Sequence, residues 1–198
     1  MMSWFGGKGG DEKRLDKLML AIEENDLSSI EKIVQKRPHL VQLRNAYGMS
    51  PLMYATLRAL HEIVGFFLAK GADPHEISQD GRTPLMIAVL EGDMSMLSLF
   101  LSADAQVNVA DRFGGSPLMY AVQMEKEEMI HALIERGADV NIRDIEGDTV
   151  LMYAVRKGNI HIVKALLEGG ADRMARNFDA QSALDLAIKP EMIQLLEE

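Results

Sequence analysis

DRFGGSPLMYAVQMEKEEMIHALIERGADVNIR, residues 111–143, decides how this chain is read. Asp111-Arg112-Phe113-Gly114 is a turn, with Gly114 supplying the positive φ that a side chain would resist. Ser116 can cap the helix that follows, and Pro117 suits its first position, where the missing N–H costs nothing. Leu118, Ala121 and Val122 then recur at three- and four-residue steps, the period of one helical face. A second helix is predicted near Glu127–Glu135, with Met129, Ile130, Leu133 and Ile134 as its apolar stripe. Gly137 ends it in the left-handed conformation.

The same unit recurs outward in both directions. Gly48, Gly81, Gly114 and Gly147 are 33 residues apart, and Ala180 continues the series. Leu52, Leu85, Leu118, Leu151 and Leu184 keep that step, as do Ala55, Ala88, Ala121, Ala154 and Ala187. Three columns in one register over five units define a repeat protein. The small Ala column has a packing reason: helices of adjacent units approach too closely there for a larger side chain.

Asp80-Gly81-Arg82-Thr83-Pro84-Leu85-Met86-Ile87-Ala88, Gly137-Ala138-Asp139-Val140-Asn141 and Ile162-Val163-Lys164-Ala165-Leu166-Leu167 resemble the ankyrin-repeat pattern. The resemblance spans roughly residues 45–188. It implies an all-α ankyrin-repeat solenoid of stacked helix-turn-helix units, with turn fingers and capping units at both ends. The expected organisation is a flexible leader over residues 1–11 and a single domain over 12–198. Residues 12–44 form the N-terminal cap repeat, 45–77, 78–110, 111–143 and 144–176 are full repeats, and 177–198 are a shortened C-terminal cap.

The departures from the pattern are informative. Met53, Met86, Met119 and Met152 stand where the family carries a histidine that bonds between turns. Apolar packing is expected to replace those links, leaving the turn network to be found elsewhere. Val150 replaces the helix-starting Pro of its unit. Asp104 replaces a terminating Gly, which predicts local strain.

Composition narrows the function. Net charge is −9, so phosphate backbones are repelled and nucleic acid is not an expected partner. Two short basic clusters, Lys13-Arg14 with Lys17 and Lys32 with Lys36-Arg37, read as solvated helix faces. There is no cysteine, which removes disulfides, thiolate metal sites and cysteine nucleophiles together. No apolar run approaches the roughly 18 residues that span a bilayer. The N-terminal residues lack a secretory apolar stretch, so a cytoplasmic location is expected, or a periplasmic one if a leader had been removed.

Sites of chemistry are not found. Gly6-Gly7-Lys8-Gly9-Gly10 lacks the Ser or Thr after Lys and the preceding strand of a phosphate loop. Asp139-Val140-Asn141-Ile142-Arg143-Asp144 begins like a calcium loop but puts Arg143 at a ligand position. The five histidines, His39, His61, His75, His131 and His161, show no metal-ligand spacing. No nucleophile–base pair emerges, so the expectation is a non-enzyme with neither cofactor nor metal.

What remains is binding. Ankyrin-like folds present turn tips and first helices on a concave surface. Tyr47, Phe113, Ile145 and Phe178 give four of the five tips a large apolar side chain. Met49, Arg82, Leu90, Met124 and Arg156 flank them at tips and first-helix ends. These nine residues form the expected partner-binding set, since aromatic residues and Arg lead among binding hot spots. The partner is expected to be a folded protein bound by a monomer, with inhibition or immunity-type self-protection as one version and an adaptor in a larger assembly as the alternative. Trp4 and Phe5 are weak candidates for a further anchor.

Overall fold

The five repeats after the N-terminal one start their first helix with the same device. Ser50, Thr83, Ser116, Thr149 and Ser182 sit in extended backbone and accept a hydrogen bond from the amide three residues on. That satisfies a donor the helix itself cannot. Where Pro is absent, at Val150, the helix still begins on register: Thr149 caps Met152 N–H, and Met152 Sδ accepts from Thr149 N–H at 3.4 Å.

The computed structural model describes residues 10–45 and 48–197. The chain divides into two compact units, Met1–Gln106 and Val107–Glu198. In the first lie α1 (Gly10–Glu23), α2 (Leu27–Lys36), a 3-10 turn (Pro38–Gln42), α3 (Pro51–Leu57), α4 (His61–Ala69), α5 (Pro84–Leu90) and α6 (Met94–Ser102). First helices stack as α1, α3, α5, and α4 packs on α6. The core holds Leu18, Ile22, Ile30, Leu52, Ile63, Phe67, Leu85 and Phe100, all fully buried.

The second unit holds α7 (Pro117–Gln123), α8 (Glu127–Glu135), α9 (Val150–Lys157), α10 (Ile160–Glu168), α11 (Ala183–Leu186) and α12 (Pro190–Glu197). Here α9 packs between α7 and α11, and α8 packs on α10. Among the described residues there are helices and turns but no strand, only isolated bridges at Arg143–Thr149 and Arg176–Ser182.

Met53, Met86, Met119 and Met152 are buried throughout, so the column does pack in the core. The turn between helices and the turn after them both use left-handed backbone. Gly fills most of these places, but Ala59, Asp104, Glu125 and Ala180 adopt φ of 53–60° with a side chain attached. The strain expected at Asp104 is therefore one of several such sites.

One expectation needs correction. Helix α1 begins at Gly10, so the last two residues of the expected leader, Gly10 and Asp11, are helical. The Leu column breaks at its end: Leu184 is 37% exposed, whereas Leu52, Leu85, Leu118 and Leu151 are buried. The cause is local, because α11 is only four residues long and the chain turns extended at Ala187.

Candidate binding surfaces at the turn tips

The tips are shaped by one column of polar residues at 33-residue spacing: Asn45, Ser78, Asp111, Asp144 and Asn177. Asp111 Oδ1 accepts from Phe113 and Gly115 N–H at 2.9 and 3.0 Å. Asp144 Oδ1 accepts from Glu146 and Asp148 N–H, both at 2.9 Å. Asn177 Oδ1 accepts from Asp179 and Gln181 N–H. Ser78 Oγ and Asn45 Oδ1 accept the equivalent bonds from Arg82 and Met49 N–H at 3.1 and 2.9 Å. This column closes each turn on itself, by bonds to amides two and four residues on.

Tyrosine adds a second tie in the second unit. The Tyr120 hydroxyl donates to Asp111 Oδ2, and Tyr153 donates to Asp144 Oδ2 at 2.6 Å. Burial and the Asp144 carboxylate push the Tyr153 phenol well above its ordinary value. Beside Tyr120 the chain is close, since a Cβ on Gly115 would lie 2.7 Å from its hydroxyl; Tyr153 makes the same bond with Asp148 standing at that column. In the first unit Ile87 occupies the corresponding place, and the Tyr54 hydroxyl donates instead to Glu23 at 3.0 Å.

Successive tips of the second unit are also joined by backbone. Ile145 N–H donates to Phe113 C=O at 3.3 Å, and Phe178 N–H to Glu146 C=O at 3.1 Å. Gly114 lets the chains approach: a Cβ there would sit 2.6 Å from Asp144 Cα. Phe178 leans over Gly147, 3.0 Å from where a Cβ would be.

Each unit has a groove between neighbouring repeats at these tips. That of the first is about 390 Å³ and is lined by Met49, Met53, Leu57, Ile87, Ser78, Gln79, Asp80 and Arg82. That of the second is about 290 Å³, between Phe113, Tyr120, Gln123, Ile145, Tyr153 and the acidic Asp144 and Glu146. The two lie at equivalent repeat positions, 66 residues apart.

The family description "Ankyrin repeats (3 copies)" matches residues 18–111, 57–144 and 118–198. The chain belongs to the ankyrin-repeat family. No curated protein matched it. Ankyrin repeats are protein–protein interaction modules and are typically non-enzymatic. Among the described residues no helix is long and apolar enough to cross a membrane.

Within this ankyrin-repeat frame the expected binding residues fall into distinct places. Phe113, Ile145 and Phe178 are 53%, 61% and 78% exposed, despite their backbone ties. Met124 is exposed at the end of α7. Met49 and Arg82 are half-buried and line the first groove. Leu90 is half-buried at the end of α5 and lines neither groove. Tyr47 lies outside the described residues, as do Trp4, Phe5 and Lys8.

Arg156 is exposed, yet it is engaged by a buried partner. Both its terminal nitrogens donate to the buried Asp148, the second at 3.1 Å, and Asn177 Nδ2 adds a bond to Asp148 Oδ1 at 2.7 Å. Burial alone would raise the Asp148 carboxyl; the guanidinium and amide outweigh it and hold the group below its ordinary value. The role expected of Arg156 at a partner surface is thus shared with this internal pair.

Asp144, Glu146 and Asp148 bring carboxylate oxygens within 4.8 Å of one another. Asp148 already serves Arg156 and Asn177, and Asp144 serves Tyr153 and two amides. The Asp144 and Asp148 carboxylates thus act as acceptors within the fold.

Sequence reading did not find the grooves. Each combines the tip of one repeat with the first helix of its neighbour. Comparing columns 49, 53 and 57 with 79, 80 and 82 would have paired their walls.

Proposed function

We propose that this protein binds a folded protein partner through the turn tips and first helices of its repeats, and acts by occupying the partner's surface. One observation carries the reading: Phe113, Ile145 and Phe178 stay more than half exposed on tips that are held rigid by hydrogen bonds. Isolated exposed apolar residues are ordinary, but a recurring row on a fixed backbone favours a contact surface. Rigid anchors also lose little entropy on association. Inhibition of an enzyme, including self-protection, is the version of this reading that we favour over an adaptor role.

The test is comparative capture on immobilised protein, using wild type and Phe113→Ala/Ile145→Ala/Phe178→Ala. The expected result is one stoichiometric enzyme retained by wild type, absent from the variant, and inactivated by added protein. Retention of the same proteins by both would overturn the tip assignment. Retention of an enzyme that stays fully active would overturn the inhibitory reading.

A further inference from the structure

The first helix pair gathers cations that the sequence holds apart. Arg14 and Lys17 lie on α1, Lys36 ends α2, and Arg37 begins the turn after it. Together with Ile33 and Leu40 they line one groove of about 460 Å³. That volume falls in the usual range for small-ligand sites, roughly 300–1,000 Å³.

The charge there is out of character. The chain carries 30 acidic and 21 basic side chains, yet no carboxylate lines this groove. Arg14 donates one nitrogen to Asp11 at 3.0 Å, and Asp11 also meets His39 Nε2 at 3.1 Å. A guanidinium has five donors, so that bond leaves Arg14 with several. Lys17, Lys36 and Arg37 have no ion pair among the described residues. Four cations that line one groove repel one another, and a bound anion relieves the repulsion.

The geometry points to a binding site for a soluble organic phosphate bearing two or more phosphoryl groups. Arg14 and Arg37 supply the planar forks that suit phosphate oxygens, and Lys17 and Lys36 supply point charges. Ile33 and the aliphatic stems of the lysines form an apolar wall for the organic part. A membrane headgroup fits less well, because among the described residues no exposed large apolar side chain lines the groove for insertion. This site is separate from the turn tips and stands independently of the proposed partner surface.

Calorimetric titration with inorganic triphosphate tests it. The expected result is saturable binding at one site, weakening with added salt. Lys17→Gln/Lys36→Gln should reduce affinity at least about tenfold, the effect of losing charge-assisted bonds. Lys126→Gln/Lys164→Gln, which removes the same charge from the second unit, should not. In the wild-type protein the methyl resonances of Ile33 and Leu40 should shift on titration. Three results would overturn the site: no saturable heat, equal weakening by both double variants, or binding only to phosphatidylcholine vesicles containing an anionic phosphoinositide. Methyl shifts elsewhere without shifts at Ile33 would do so as well.

Discussion

The two tip grooves occupy the same place in the repeat and are built from different materials. In the first unit the walls are flexible and aliphatic: Met49, Met53, Leu57 and Ile87 surround Arg82 and Asp80. In the second they are aromatic and acidic, and the Asp111 and Asp144 tips are each tied to their own first helix by a Tyr–Asp bond. The repeat-to-repeat seams differ in the same sense. Asn108 and Asn141 each bond the next repeat twice, through Gly137 C=O and Asp139 N–H and through Gly170 C=O and Asp172 N–H. At the same column Gln42 donates to Gly71 C=O, and His75 accepts from Gln106 N–H. The 33-residue frame thus sets where a groove forms, while a few columns set its chemistry and stiffness.

The largest effects should be common to both units. Met53→Ala and Met119→Ala are each expected to cost about 3 kcal/mol in urea unfolding, because both side chains are buried in the same column. A large difference between them would show that the column does not pack alike, and would break the comparison at its base.

The buried acids should separate the units more finely. Asp148→Asn is expected to cost about 2 kcal/mol at neutral pH, since it removes the charge that holds Arg156. Glu76 is the contrasting group: it is buried, accepts from Ser50 and meets Arg44 at 3.4 Å. Burial raises its carboxyl above the ordinary 4.5 despite those partners. An acid raised on folding binds its proton more tightly in the native state, so its ionisation opposes folding as pH rises above 4.5. Relative to Glu76→Gln, wild type should therefore lose stability between pH 4.5 and neutrality. The Asp148→Asn difference should stay constant over that range and close only as pH falls below 3.8. Urea midpoints measured across pH check both directions.

The tyrosine ties can be removed from one unit and installed in the other. Tyr153→Phe should cost about 1 kcal/mol. Ser78→Asp with Ile87→Tyr should show a favourable coupling of about 1 kcal/mol in a double-mutant cycle. No coupling would mean that the aromatic column is not what stiffens the second unit's tips.

The smallest effect is at the strained turns. Ala59→Gly and Ala180→Gly should each stabilise by about 0.5 kcal/mol, the left-handed cost less the added chain entropy of Gly. Thermal unfolding of the single variants reads the gain, and destabilisation would contradict the strain.

Much of this was legible in the chain. The caps at Ser50, Thr83, Ser116 and Thr149, the left-handed glycines and the Leu and Ala columns are local signals repeated at one period, and repetition makes each credible. The ties of Asp111 and Asp144 to Tyr120 and Tyr153 were not legible, because that reach depends on how the turn closes. The pairing of the exposed Arg156 with Asp148 was not legible, because the partner lies eight residues back, across a turn. The shortening of α11, which exposes Leu184, had no counterpart in the Leu column itself. The cationic groove was hidden for a related reason: its two clusters are distant in sequence and meet only when α2 folds onto α1.

The most direct test concerns the tips themselves. Once a partner is in hand, its affinity should be measured by calorimetry for wild type, for Phe113→Ala/Ile145→Ala/Phe178→Ala, and for Met124→Ala as a single-site reference. The account predicts a loss of at least about a hundredfold for the triple variant, with amide exchange protection of α7 to α10 unchanged. Unchanged affinity with unchanged protection would contradict it.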